Sequence, residues 1–226
     1  MVISMQSRPY KLPLQDKGKN WRGLYFDGVA SYAYVPSNTT INLDSSYTFL
    51  AALKVNNMTI NPAQFIWSKY AANLSGALGV LNATDDKITS VVYRLGAGAV
   101  HYDSPIVKNK MALIGWSYDK PAQKSRIYYN GIASEQTAMG TMGSNTNVSL
   151  AIGTNNAANG NFFKGILFCL IYIKETLTKE QMEDILLGRT SPKRLDVRIC
   201  HDYRLGHGKD LSGNGNDAVL SGTRWV

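Results

Sequence analysis

The chain has 226 residues, of which 44% are apolar and only 18% charged, with a formal net charge of +8. That length suits one large all-β domain or two small ones, and so much apolar content with so little charge excludes a disordered chain. No apolar run approaches the ~18 residues of a membrane-spanning helix.

The charge sits at the ends. Residues 1–22 carry five Lys/Arg against one Asp, residues 189–226 carry seven against four, and the long middle is close to neutral. Two solvated basic termini and a contact with an acidic partner (nucleic acid, a lipid surface or an acidic subunit) both stay open. No basic helix or zinc-ligand spacing supports sequence-specific nucleic-acid readout. Thirteen Tyr and 20 Gly, with many Asn, Ser and Thr, point to short strands joined by polar turns.

In chain order, residues 1–21 show no periodicity and are expected to form an N-terminal arm. They lack the apolar stretch and small-residue cleavage site of a secretory signal. The expectation is a signal already removed or another route out of the cell, such as release inside an assembled virus particle. Leu24-Tyr25-Phe26, the Asp27-Gly28 turn and Tyr32 to Pro36 predict a hairpin. Tyr47–Val55 alternates, with Tyr47, Phe49, Ala51 and Leu53 on one face. Further strands are predicted over 64–70, 76–81, 87–95, 97–102, 111–118 and 126–129, the last closing on Asn130-Gly131, a two-residue hairpin turn. Segments 148–153 and 162–173 follow, and Ile166–Ile173 is apolar on both faces, as a strand covered on both sides requires. A single helix of roughly ten residues comes next, with Thr178 as N-cap, Gln181 three residues on, Leu177 stapled to Met182, and Gly188 as stop. A last strand is predicted over 197–205, and a polar loop over 206–217. Cys169 and Cys200 lie in apolar strands, where two buried thiols or one disulfide are both open.

Several of these segments fit a known pattern. Leu24-Tyr25-Phe26-Asp27-Gly28 with Ser31-Tyr32-Ala33-Tyr34-Val35-Pro36, Tyr47-Thr48-Phe49, Ile127-Tyr128-Tyr129-Asn130-Gly131, Ala151-Ile152-Gly153, Phe163-Lys164-Gly165-Ile166 and Leu177-Thr178-Lys179-Glu180-Gln181-Met182 resemble, in order and spacing, the laminin-G-like jelly roll of the concanavalin A-like lectin/glucanase superfamily. The resemblance covers residues 22–188. It implies an all-β, two-sheet antiparallel jelly-roll sandwich with one short helix after the most buried strand. Asp210-Leu211-Ser212-Gly213-Asn214-Gly215-Asn216 resembles a motif that usually precedes the Phe-Asp-Gly strand. Residues 22–226 are therefore expected to form one domain, which 197–226 completes in a circularly rearranged order.

Some members of that superfamily hydrolyse glucans with carboxylates at alternate strand positions, and glycoside hydrolysis needs two of them about 5–10 Å apart. Here Glu175, Glu180 and Glu183 lie in or beside the predicted helix, Glu135 has no acid two residues away, and no Ser or Cys is partnered with a His. The expectation is a protein that is not an enzyme. Calcium is the one possible cofactor, with none required: Asp210, Ser212, Asn214 and Asn216 alternate beside Gly215, like half a calcium loop that another segment, for example Asp27 or Asp217, would complete. An Asx-rich turn held by its own side chains is the other reading. For a glycan, loop or strand-end candidates are Tyr70, Tyr102, Tyr118, Asn155, Asn156, Asn159 and Asn161, whereas Trp67, Trp116 and Trp225 are expected in the core. Asn-x-Ser/Thr sequons stand at Asn38, Asn57, Asn73, Asn82 and Asn147.

Two functional readings follow. One is a virion surface component (capsid-associated, spike or fibre) that assembles as a homo-oligomer or with other virion proteins. The alternative is a secreted, lectin-like carbohydrate-binding module. Either lies at a virion surface or outside the cell.

Overall fold

In the computed structural model the described residues are 22–56, 63–70, 76–82, 87–94, 97–100, 103–105, 107–136, 147–155, 158 and 160–226. The expected arm, 1–21, lies outside them.

The strands are β1 (Leu24–Asp27), β2 (Tyr32–Val35), β3 (Tyr47–Val55), β4 (Ala63–Lys69), β5 (Gly76–Asn82), β6 (Lys87–Arg94), β7 (Ala97–Val100) and β8 (Asp103–Pro105). They continue as β9 (Met111–Asp119), β10 (Lys124–Tyr129), β11 (Ile132–Gln136), β12 (Leu150–Ile152) and β13 (Lys164–Ile173). After the helix α1 (Lys179–Leu186) come β14 (Val197–Asp202), β15 (Val219–Ser221) and β16 (Arg224–Trp225). One antiparallel sheet runs β11-β10-β9-β3-β13-β1-β16, with β14 also on β13. The other runs β15-β2-β12-β4-β5-β6-β7, with β8 also on β6.

β1 and β2 are not the expected hairpin. They lie in opposite sheets, so the Asp27-Gly28 turn is an arch between layers. Both strands are instead partnered by the C-terminus: Leu24 faces Trp225 across β1–β16, and Tyr34 faces Val219 across β2–β15. Asn130-Gly131 does close a hairpin, with both residues at positive φ (45° and 93°) and Tyr129 opposite Ile132.

β3 and β13 form the middle of the first sheet and are apolar on both faces. Tyr47, Phe49, Ala51, Leu53 and Val55 point into the sandwich, while Leu50 and Ala52 join the cluster under the helix. A bulge in β13 between Leu167 and Cys169 inserts one residue, so Leu167 and Leu170 both reach the interior although three apart, and Phe168 and Cys169 both face out. Phe49 stacks on Trp67 across the interior (centroids 3.8 Å) and on its cross-strand partner Tyr172 (4.7 Å), and the Tyr172 hydroxyl donates to the Asn42 carbonyl at 2.7 Å. Trp67 and Trp116 are core residues, as expected; Gly79 leaves them room, since a Cβ there would lie 2.4 Å from Trp67 Nε1.

The helix packs on the outer face of the first sheet through Met182, Ile185 and Leu186. Its capping box is complete: the Gln181 amide donates to Thr178 Oγ1 (3.3 Å), and the Thr178 amide to Gln181 Oε1 (2.8 Å). The last predicted strand ends early: Asp202 caps a short 3-10 turn over Tyr203–Leu205 by accepting from the Arg204 amide. Cys169 and Cys200 are both buried free thiols. They are diagonal on neighbouring strands, Cys169 opposite Asp202 and Cys200 opposite Ile171, a relation that sets residues about 7–8 Å apart and outside disulfide reach.

Candidate functional site

In the C-terminal loop, Asp210 forms a bridge with His201 and turns its carboxylate inward. Oδ1 accepts from the Cys200 and Ser212 amides (both 2.9 Å), and Oδ2 from Ser212 Oγ (2.7 Å) and the Asn216 amide (3.0 Å). Asn214 Nδ2 donates to the Val197 carbonyl at 2.8 Å. Asn216 is buried: its Nδ2 donates to the Arg198 carbonyl and Thr40 Oγ1, its Oδ1 accepts from Asn38 Nδ2, and its carbonyl accepts from His201 Nε2. The Asp210 carboxylate and the Asn216 oxygens thus accept from N–H and O–H donors of the loop and its neighbours, the pattern of an Asx-rich turn held by its own side chains.

Asp27 does not complete that set. It pairs with Lys164 on β13, whereas His201, the bridge partner of Asp210, pairs with Leu170. Six residues of strand separate the two positions, about 20 Å. The Asp27 carboxylate instead holds its own turn, where Oδ1 accepts from the Val29, Ala30 and Ser31 amides and from Ser31 Oγ. Burial acts to raise its pKa, but these donors prevail and hold the carboxyl well below the usual range.

The glycan candidates also part company. Tyr118 is in the core, fully buried beside Tyr47 (centroids 5.6 Å), because the last residues of β9 still lie between β3 and β10. This corrects its expected place at a strand end open to ligand. Asn161 sits at φ 58°, donating from Nδ2 to the Ala63 carbonyl while its own carbonyl accepts from the Phe65 amide. Asn155 accepts from the Ala158 amide through its backbone. Both Asn residues shape the loop beside the start of β4. Tyr70 follows the far end of that strand, roughly 20 Å away. These residues do not share one site; Tyr102, Asn156 and Asn159 lie outside the described residues. Trp225, expected in the core, is 37% exposed, because β16 is the outermost strand of its sheet and leaves one side of the indole open, with Tyr203 6.3 Å away. Of the sequons, Asn38 and Asn147 are exposed.

The described carboxylates are largely committed. Asp202 grips Arg204 through both oxygens (2.7 Å each), Glu135 pairs with Lys124 and Arg126, Asp44 with Lys174, and Asp196 with Arg198. Among the described residues no three His, Cys, Asp or Glu side chains group as metal ligands, and no helix is long and apolar enough to cross a membrane.

One surface assembles that no local sequence pattern points to. Met111 is opposite Lys54, Lys54 opposite Ile166, Ile166 opposite Tyr25, and Tyr25 opposite Arg224. These five residues form one row across β9, β3, β13, β1 and β16, on the outer face of the first sheet beyond the helix. Met111 and Arg224 are exposed and the other three half-buried, while Ala112, Val55 and Leu24, next to them in sequence, belong to the interior core. The Arg224 guanidinium lies 4.5 Å over the Tyr25 ring. Each member shows only as an outward position in an alternating strand; their adjacency is a matter of register.

Comparison with solved structures defines the class of fold. Over 97% of its length the chain superposes on a putative carbohydrate-binding protein from Bacteroides ovatus (TM-score 0.71, 16% identity), of which it spans 61%. It is also similar to the heptameric SAP-like pentraxin of Limulus polyphemus (TM-score 0.60, 12% identity, 90% of this chain and 94% of that one). A third similar structure is the CBM40 module of the Ruminococcus gnavus IT-sialidase bound to α2,3-sialyllactose (TM-score 0.54, 10% identity, 71% of this chain and 96% of that one). The fold is a laminin-G-like, concanavalin A-like jelly-roll sandwich. No protein-family model matches the chain, and no curated protein matches it.

Proposed function

We propose that the chain is a non-catalytic, lectin-like carbohydrate-binding domain that works outside the cell. The observation that carries this reading is the superposition of nearly the whole chain on a structure described as a putative carbohydrate-binding protein. The sialyllactose-bound module adds support from a second sandwich of the same fold. The commitment of the described carboxylates to turns and ion pairs supports the absence of catalysis, because a hydrolase needs two that are free to face a glycosidic bond. Of the two readings drawn from the sequence, the likeness favours the lectin-like one over a virion surface component, for which no specific observation speaks. We read residues 22–226 as one domain whose segment 197–226 takes the place of a strand that ordinarily comes first; the pairing of β16 with β1 and β15 with β2 supports this.

The test is a glycan array probed with the full chain at neutral pH. Saturable binding to a defined group of glycans is expected. Flat signal across neutral and acidic glycans alike overturns the reading.

A further inference from the structure

Within the carbohydrate-binding reading, on which this inference rests, we propose that the outward row Met111–Lys54–Ile166–Tyr25–Arg224 is a binding platform for an acidic polysaccharide carrying carboxylate or sulfate groups. Neighbouring strands are about 4.8 Å apart, so the row is a strip about 19 Å long, suited to an extended chain laid across the strands. Its composition alternates: cationic Lys54 and Arg224 are separated by Ile166 and Tyr25, and Met111 extends the apolar part. A third cation, Lys164, stands on the same face two residues from Ile166. The acid opposite it, Asp27, is held ionised by the amides of its own turn, so the face carries three cations against one carboxylate. Among the described residues no ion pair ties Lys54, Lys164 or Arg224 to a carboxylate.

Charge complementarity selects the occupant. A neutral glycan gains little from three cations on one flat face, whereas an acidic one is attracted to all three. Arg224 is held in place by the Tyr25 ring beneath it, which presents the planar guanidinium edge for two-point contact with a carboxylate or sulfate. The same stacking covers the only aromatic face in the row, which a single-stranded nucleic acid would need open for a base. Ile166 and the methylene stem of Lys54 supply the apolar floor for the faces of the sugar rings.

The experiment is affinity electrophoresis of the full chain through gels containing dextran sulfate, alginate or neutral dextran, with single-stranded DNA and anionic phosphatidylserine vesicles as further arms. Retardation by dextran sulfate or alginate but not by neutral dextran is expected. Lys54→Gln combined with Arg224→Gln is expected to weaken it at least tenfold. Lys179→Gln combined with Arg189→Gln, which removes the same charge from the helix region, is expected to change it less than twofold. Met111→Glu, which leaves every hydrogen bond in place, is a second probe of the row and is expected to weaken binding as well; melting curves verify that each variant is folded.

Equal loss in the helix-region variant shows a net-charge effect and overturns the platform. So does tighter binding to vesicles or DNA that depends on Lys54 and Arg224. Glycan binding on the array that survives the Lys54 and Arg224 substitutions overturns the platform while leaving the carbohydrate-binding reading standing. No binding to any polysaccharide or glycan overturns both.

Discussion

His201 Nε2 donates to the Asn216 carbonyl at 2.8 Å, with the imidazole fully buried. Because a carbonyl only accepts, the ring carries its proton on Nε2, and Nδ1 accepts from the Tyr203 hydroxyl at 3.1 Å. Both nitrogens are satisfied in the neutral form. Burial outweighs the favourable Asn216 bond and lowers the pKa from the usual 6.5.

That arrangement makes stability depend on pH. Above about pH 6.5 His201 is neutral in both folded and unfolded chains. Below it the unfolded chain takes up a proton that the folded one resists, so stability falls as the pH drops. Urea titrations at pH 7.5, 6.5 and 5.5 are expected to show a progressive decline. His201→Phe is expected to flatten that slope and to cost about 1–3 kcal/mol at pH 7.5, since it leaves buried polar partners unsatisfied.

The Asp210 carboxylate is a hub of four hydrogen bonds. Asp210→Ala is expected to cost about 1.5–3 kcal/mol, the range for hydrogen bonds to a charged group. Excess chelator is expected to leave the melting temperature of the unaltered chain unchanged, and a chelator-dependent drop would restore the calcium reading.

Cys169 is buried, and desolvation, aided by the Asp202 charge, pushes its thiol up to about 12. A thiol so rarely ionised is a poor nucleophile. Neither cysteine is expected to react with a thiol reagent at pH 8 in the native state, and both are expected to react in denaturant. Fast native labelling of either would show that the strand pair opens.

Deleting residues 218–226 removes one partner each from β1 and β2, leaving them to β13 and β12 alone and opening an edge in both sheets at once. The expected outcome is loss of the cooperative melting transition as a whole, because an unpaired strand edge and the buried Leu24 and Ala33 are exposed together. A truncated chain that melts within a few degrees of the full one would show that the C-terminus is a dispensable tail.

Much of the fold was legible locally. The two-sided apolar character of Ile166–Ile173, the alternation of Tyr47–Val55, the Thr178/Gln181 box and the Asn130-Gly131 turn each involve residues within a few positions of one another. Less of the candidate site was. Tyr118 looks like a strand end open to solvent, yet its strand continues between two others. Asn161 looks like a free loop amide, but the Ala63 carbonyl, 98 positions away in sequence, takes its donor. Asp210, Ser212 and Asn214 alternate as cation ligands would, but alternation does not say whether the oxygens face a cavity or their own backbone.

What the sequence determined by itself was local: which side chains of Tyr47–Val55 share a face, where the helix begins, and that Asn130-Gly131 reverses the chain. Those properties follow from a two-residue strand period and from caps that close over three or four residues. Only the tertiary structure decided which strands are neighbours. It placed β1 and β2 in different sheets, partnered each with the C-terminus, and brought Met111, Lys54, Ile166, Tyr25 and Arg224 into one row from five separate segments. The physical reason is that backbone N–H and C=O groups are alike at every residue, so ladder partners are selected by the packing of the whole sandwich rather than by any local pattern.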